Sequence, residues 1–258
     1  MSYLDYSIFP EGITAFSTCR QDGFSQGAYA SFNCTYGYGD DDACVFRNRQ
    51  LLCKDKNIAP NRLFTPKQVH GLRIADINQD FLNADEPAQK KMLEGVDAMI
   101  SPLADCCIAI STADCIPILL YDQRQQIIAA IHAGWRGTVK GIVTATLQKM
   151  QERYGCQSID IHAAIGPGIS LEAFEIGDEV YEQFQQAGFD MGRIARKYEK
   201  WHIDLWKANH ILLTEWGIPK EKIETVNICT FNHNEKFFSA RKAGINSGRI
   251  LTGIMRKS

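Results

Sequence analysis

The chain has 258 residues, 45% of them apolar and 22% charged, with a formal net charge of −2. That is the composition of an ordinary globular protein with enough apolar residues for a sizeable core. So small a net charge gives no reason to expect nucleic acid or an anionic membrane surface as a partner, while leaving room for a local pocket for a small anion.

In chain order, Gln21–Asp42 (QDGFSQGAYASFNCTYGYGDDD) is rich in glycine, asparagine, aspartate and aromatics, and is expected to form strands joined by exposed turns. Ala43–Lys54 reads as a helix, with Asp41 or Asp42 as its cap and Val45, Leu51 and Leu52 as apolar positions. From Arg62 onward, short apolar runs alternate with helical segments. The runs FTPKQVHG (64–71), RIADI (73–77), DAMISP (97–102), CCIAIST (106–112), IPILLY (116–121) and IIAAIH (127–132) read as strands. Thr138–Tyr154 has Val139, Ile142, Val143, Thr146, Leu147 and Met150 on one helical face, and Gly155 to close it. IDIHAAIGPG (159–168) is a strand with a Gly-Pro-Gly stop. Asp178–Gln186 and Ile203–Trp216 are helical, the latter with Asp204 at its start and Gly217-Ile218-Pro219 at its end. TVNICTF (225–231) is a late strand. With no repeat, linker or composition shift to divide it, the chain is expected to be α/β: one layered sandwich domain over 1–258 with a mixed β-sheet.

The chemistry concentrates between Thr112 and Ile142. Cys115 stands just before the run IPILLY, and His132 just after IIAAI. The chain then breaks at Gly134 and Gly137. Neighbouring strands thus bring a thiol and an imidazole to the mouth of a glycine-rich turn. His70, in KQVHG, is a second imidazole. Two histidines and a cysteine leave a tetrahedral zinc one open position. Each residue alone is weak evidence, since buried cysteines are mostly inert and the spacing fits no local zinc-finger rule. The turn AGWRGT offers helix-start amides, Arg136 and Thr138 to a phosphate or carboxylate. The plainer reading is that its glycines only permit the turn, Trp135 packs and Arg136 is solvated. IGPG has no Walker lysine and is not GxGxxG, so the nucleotide-fold motifs are absent. Asp114 and Glu175 are the carboxylates that could move protons, with a structural role favoured for Asp114. His162, His202, His210 and His233 read as surface or core residues.

Nine scattered cysteines, an odd number with no CxxC pair, read as free thiols in a reducing, cytoplasmic compartment. MSYLDYSIFPEG has neither the basic nor the apolar region of a signal peptide, and no apolar run approaches a membrane span.

Together the blocks KQVHG, DAMIS, TADCIPILLYD, AAIHAGWRG, AAIGPGI, FEIGDEV, DLWKAN and FFSARKAG…SGR resemble the laccase-domain family of bacterial YfiH and YlmD type. Its members are described as polyphenol oxidases and as purine nucleoside phosphorylases. The resemblance runs from FSTCRQDGFSQGAYASFN to SGRI. It implies metal ligands at His70, Cys115 and His132, and pocket-lining roles for Asn48, Arg49, Gln68, Arg136 and Arg241. Two departures stand out. GPGISLEAFEIG lacks the cysteines many relatives carry there, which argues that those cysteines are dispensable, and the C-terminal pattern TGRM is SGRI here.

The resemblance implies a zinc enzyme acting on purine nucleosides: phosphorolysis of adenosine, inosine, guanosine and methylthioadenosine, and deamination of adenosine. The expected partners are nucleosides and phosphate, with no nucleic acid and no membrane. Zinc suits deamination because it lowers the pKa of its water to about 7. Copper is the alternative metal, since cysteine plus two histidines is also a copper set. A multicopper oxidase, however, needs many more histidines than the six present, and there is no His-x-His. A metal-free hydrolase with Cys115 as nucleophile uses the same residues. A purely structural zinc would want a fourth protein ligand, and none is evident.

Overall fold

IPILLYD and IIAAIHA are buried at every position, so the hairpin they form must be covered on both faces. The computed structural model, which describes residues 3–258, meets this demand with two stacked sheets and helices outside each. In chain order the strands are β1 Tyr3–Asp5, β2 Ile13–Thr18, β3 Leu63–Phe64, β4 Ile74–Asp76, β5 Ala98–Ser101, β6 Cys107–Thr112, β7 Ile116–Asp122, β8 Ile127–Ala133, β9 Ile161–Ile165, β10 Glu175–Ile176, β11 Ala195–Lys197, β12 Trp201–Ile203, β13 Ile223–Thr225 and β14 Ile250–Arg256. The helices are α1 Asp42–Asp55, α2 Gln79–Asn83, α3 Glu86–Met92, α4 Trp135–Val139, α5 Ile142–Tyr154, α6 Asp178–Gln186, α7 Met191–Ile194, α8 Leu205–Glu215 and α9 Ala240–Ala243.

The larger sheet runs β13-β9-β7-β8-β5-β4 and is mixed: its two outer pairs are parallel and the inner ones antiparallel. The second sheet runs β1-β2-β14-β6-β3, with only β3–β6 parallel. Strand alternation sorts the side chains into layers. Leu119, Tyr121, Ile128, Ala130 and Met99 of the larger sheet meet Ala15, Ile108, Ile110 and Ile254 of the second in one buried cluster. Ile118, Leu120, Ala129 and Ile131 point the other way, onto Val143, Leu147 and Met150 of α5 and Ala208 and Ile211 of α8. The outer face of the second sheet, with Phe16, Cys107, Ala109 and Leu251, packs on Leu52 and Cys53 of α1. The result is an α/β layered sandwich ordered helix, sheet, sheet, helices. A small antiparallel sheet, β10-β12-β11, lies beside it.

Several sequence expectations are corrected. No strand forms across Gln21–Asp42, where the chain is turns and a single 3₁₀ turn at Gly27–Tyr29. FTPKQVHG contributes only Phe64 to a strand, β3, because Pro66 removes a ladder donor and His70 turns left-handed at φ 60°. The helix expected from Thr138 starts earlier, at Trp135, and is interrupted at Gly141 (φ 80°) before α5 begins. Of TVNICTF, only Thr225 lies in a strand, at the end of β13. The helix beginning at Ile203 starts instead at Leu205, because Ile203 ends β12 and Asp204 caps α8 by accepting from the Lys207 N–H. Helix α6 matches its expected bounds, and Asp41 caps α1 through the Ala43 N–H.

Candidate metal centre

The β7–β8 register explains why Cys115 and His132 meet. His132 pairs with Pro117, and Ala133 with Ile116. Residues directly opposite share a face, and so do residues two apart on a strand. Cys115, two before Pro117, is therefore delivered to the same face and the same end as His132. His70 arrives from the loop after β3. The Cys115 Sγ lies 3.8 Å from His70 Nε2, and the two imidazole rings sit edge to face with centroids 4.7 Å apart. One ligand atom from each of the three residues lies within 4.8 Å of the others. Ligands at zinc distances in a tetrahedron are about 3.5 Å apart, so a small contraction would close the set around an ion. His70 is exposed, Cys115 half-buried and His132 buried, which leaves the cluster open on one side.

What assembles the cluster is Asp97, which the sequence reading treated only as the start of DAMISP. Its buried carboxylate accepts from the backbone N–H groups of Val69 (3.2 Å), His70 (2.9 Å) and Gly71 (2.7 Å), and from His132 Nδ1–H (2.8 Å). Its own carbonyl accepts from the His132 N–H at 2.8 Å. One side chain thus holds the left-handed turn that presents His70 and fixes the His132 tautomer, leaving Nε2 for the cluster. Burial alone would raise the Asp97 pKa, but the donors from His132, Gly71 and Val69 outweigh it and hold the pKa below the usual carboxylate value.

The thiol behaves likewise. Burial would raise it, but His132 and His70 outweigh burial and pull it well below an ordinary thiol. Burial pushes His132 down, yet the Cys115 thiolate and Asp97 raise it above an ordinary imidazole. A donor set of one thiolate and two imidazoles suits zinc or copper. The space between the donors is also reserved: a Cβ on Gly134 would fall 2.9 Å from His70 Cδ2 and 3.0 Å from Cys115 Sγ. Glycine here keeps the hole between the ligands empty, and the residues fit a bound ion.

Asp97→Asn should keep the fold, because an amide oxygen can still accept from the turn. It should cut metal affinity about 10- to 100-fold, the usual effect of losing a ligand's outer partner. Because the Asp97 pKa is depressed on folding, its contribution to stability is complete above about pH 4 and is lost as pH falls through the lower folded value. Acid titration of the variant should therefore show a shallower loss of stability in that window. Unchanged zinc affinity would remove Asp97 from the site's support.

The other candidate residues are dispersed. Asn48 is buried, with its amide committed to Phe24 N–H, Ser25 Oγ, Ser31 O and Asn33 O. Arg49 donates to the carbonyls of Cys34 and Leu63. Gln68, two residues from His70, is clamped to Ser111. Arg136 is exposed on α4, stacked over Trp135 at 4.3 Å. The Arg241 N–H donates to Asp114, whose other oxygen accepts from Thr230. Asp114 therefore ties α9 to the Cys115 loop, the structural role expected of it. Glu175 is exposed and pairs with Lys200 at 2.7 Å. His162, His202, His210 and His233 have hydrogen-bond partners elsewhere.

A four-layer α/β sandwich with a thiolate and two imidazoles converging at a strand-end mouth defines a class of metal-site proteins, and comparison with known proteins places the chain within it. The profile of the family described as multi-copper polyphenol oxidoreductase laccase matches residues 14–257, and the chain belongs to that family. A purine nucleoside phosphorylase from Bacteroides thetaiotaomicron is 50% identical over 246 residues, covering 94% of this chain and 91% of its own. The adenosine deaminase RL5, from an unknown prokaryotic organism, is 40% identical over 98% of both chains. The crystal structure of YlmD from Geobacillus stearothermophilus superposes with a TM-score of 0.91 at 29% identity, over 100% of this chain and 97% of that one. Among the described residues, no helix is long and apolar enough to cross a membrane.

Proposed function

We propose that this chain is a zinc-dependent purine nucleoside phosphorylase, accepting adenosine, inosine, guanosine and methylthioadenosine, that also deaminates adenosine. The observation that carries the reading is the His70–Cys115–His132 cluster, with three donors organised by Asp97 and one side open. The relatives named purine nucleoside phosphorylase and adenosine deaminase support the substrate class. Zinc held by these residues would supply a Lewis acid and lower the pKa of water to about 7. The chain supplies the rest. Cys115 is ready as thiolate near neutral pH, so binding the ion costs little deprotonation there. Asp97 fixes the His132 ring, so the site is pre-organised before substrate arrives. Arg136, exposed beside Gly134, offers a forked donor for phosphate.

Copper is the second reading, favoured by the family's description. Among the described residues, the cluster is one group of three metal-capable ligands, too few for a mononuclear and a trinuclear copper centre together. Incubation of the zinc-loaded protein with adenosine, with and without phosphate, tests the proposal. Adenine plus ribose 1-phosphate is expected when phosphate is present, and inosine when it is absent. No turnover in either case, with zinc bound at one per chain, would overturn the reading.

A further inference from the structure

Asp97 organises the two histidines of the cluster, and the thiol is held by other means. Ala113, Asp114 and Cys115 join β6 to β7, and so carry the chain from the second sheet to the larger one in three residues. So short a crossing demands a sharp turn, and it is made at Asp114, which takes φ 91°. That is left-handed backbone, which a residue with a side chain keeps only where its surroundings hold it there. The Asp114 carboxylate supplies the hold. One oxygen accepts from the hydroxyl of the buried Thr230 and the other from the Arg241 N–H, both at 2.7 Å. Its carbonyl accepts from the Ile169 N–H at 2.9 Å.

These partners belong to three separate segments, and each is fixed in turn. The Thr230 N–H donates to the Gly168 carbonyl at 2.8 Å, and the Gly168 N–H to the Ile228 carbonyl at 3.3 Å, which joins the Gly-Pro-Gly turn to the chain after β13. Gly168 lies against the crossing itself: a Cβ there would fall 3.0 Å from the Asp114 carbonyl oxygen and 3.5 Å from that of Cys115. Arg241 is held at both ends, since its guanidinium donates to the Glu175 carbonyl at 3.2 Å and lies 5.5 Å from the centre of the Phe174 ring. Helix α9 is capped by the buried Ser239, which accepts from the Lys242 N–H. The Asp114 side chain is therefore where α9 and the loop after β13 meet, one residue from the thiol.

We propose that Asp114 is the positioning residue of the thiolate ligand: its carboxylate locks the left-handed crossing that aims Cys115 at the two imidazoles, and so makes metal affinity depend on Thr230 and α9. The assignment rests on the metal-centre reading above. Geometry separates this role from proton transfer. Both carboxylate oxygens are committed to donors fixed within the protein, whereas a proton carrier must reach the substrate.

Zinc affinity, measured by competition with a chelator, is the first readout. The second is the near-ultraviolet thiolate-to-metal charge-transfer band of cobalt-loaded protein, which reports whether Cys115 is a ligand and which a general loss of stability does not move. Asp114→Ala removes both acceptors, and should lower zinc affinity about 10- to 100-fold and weaken the band per bound cobalt. Asp114→Asn should return both close to wild type, because its Oδ1 can accept from the Arg241 N–H while its Nδ2 donates to the Thr230 hydroxyl. Thr230→Val removes one anchor without altering the crossing, and should lower zinc affinity about two- to tenfold. Wild-type affinity and band in Asp114→Ala would overturn the assignment. So would wild-type affinity in Thr230→Val, the variant that decides the matter if Asp114→Ala does not fold. Equal loss of adenosine turnover in Asp114→Ala and Asp114→Asn, with zinc affinity and the band intact in both, would also overturn it, making Asp114 a proton carrier while the zinc reading stands. A wild-type protein that takes up no zinc would remove the metal centre and the assignment with it.

Discussion

Replacing Cys115 by alanine is expected to remove bound zinc and nucleoside turnover together, while the protein stays folded. The substitution deletes one sulfur from a half-buried position in the loop before β7. The apolar contacts that hold the hairpin come from Ile116, Ile118, Leu120 and their partners, all of them untouched. Loss of the thiolate leaves two imidazoles, and His132 loses the first of the groups that raise its pKa. A two-histidine remnant with an exposed His70 is a poor zinc site. Metal analysis should fall from one zinc per chain to a small fraction, and activity should fall at least about 100-fold. Far-UV circular dichroism and the unfolding midpoint of metal-free protein should stay close to wild type. Full zinc occupancy in the variant would show that the ion sits elsewhere.

The parts of this molecule that were legible in its sequence share one property: their signal is local. Strands β5 to β9 read directly, because being buried on both faces makes them near-continuous apolar runs. The pairing of Cys115 with His132 was also legible, since both flank runs that form one hairpin. What was missed depends on distant partners. Strand β14 lies at the centre of the second sheet, between β2 and β6, yet ILTGIMR is broken by Gly253. That glycine is there because a Cβ would come within 3.0 Å of Ala109 and Phe16 on the neighbouring strands, a constraint invisible until the sheet is assembled. Strand β2 was missed for the same reason, being an edge-side partner recruited by β14 from 235 residues away through Ser17 and Thr252.

The His70 turn is the sharpest case. KQVHG has strand-like residues, but Asp97 captures three consecutive backbone N–H groups from it. A carboxylate 27 residues downstream decides the conformation, and propensity could not register it. The available clue was the carboxylate itself, directly ahead of a strand whose four residues are all buried. A charge in such a place needs partners, and here the partners belong to the metal centre.

The second large effect concerns metal removal. Chelation is expected to abolish turnover, and stoichiometric zinc to restore it, while the stripped protein gains a selectively reactive thiol. In the metal-free state the Cys115 pKa lies below an ordinary thiol, against the opposing pull of burial. Its thiolate therefore persists as pH falls below about 8.5, and is lost only when pH passes the lowered value. Burial drives Cys34, Cys107 and Cys156 the other way, so they stay protonated and shielded. Cys44 is as accessible as Cys115 but its thiol is held above the ordinary value, so iodoacetamide at neutral pH should label Cys115 of the metal-free chain first, and zinc should protect it. Zinc uptake must also deprotonate His132, whose pKa is raised. Zinc affinity should accordingly climb with pH until it passes that value and then level off. A cysteine nucleophile with a histidine base uses the same residues but reverses the metal dependence. Its activity would survive chelation, or rise as the thiolate is freed, and would be lost on alkylation. Full turnover by metal-free protein would therefore overturn the zinc reading and put the chemistry on Cys115 itself.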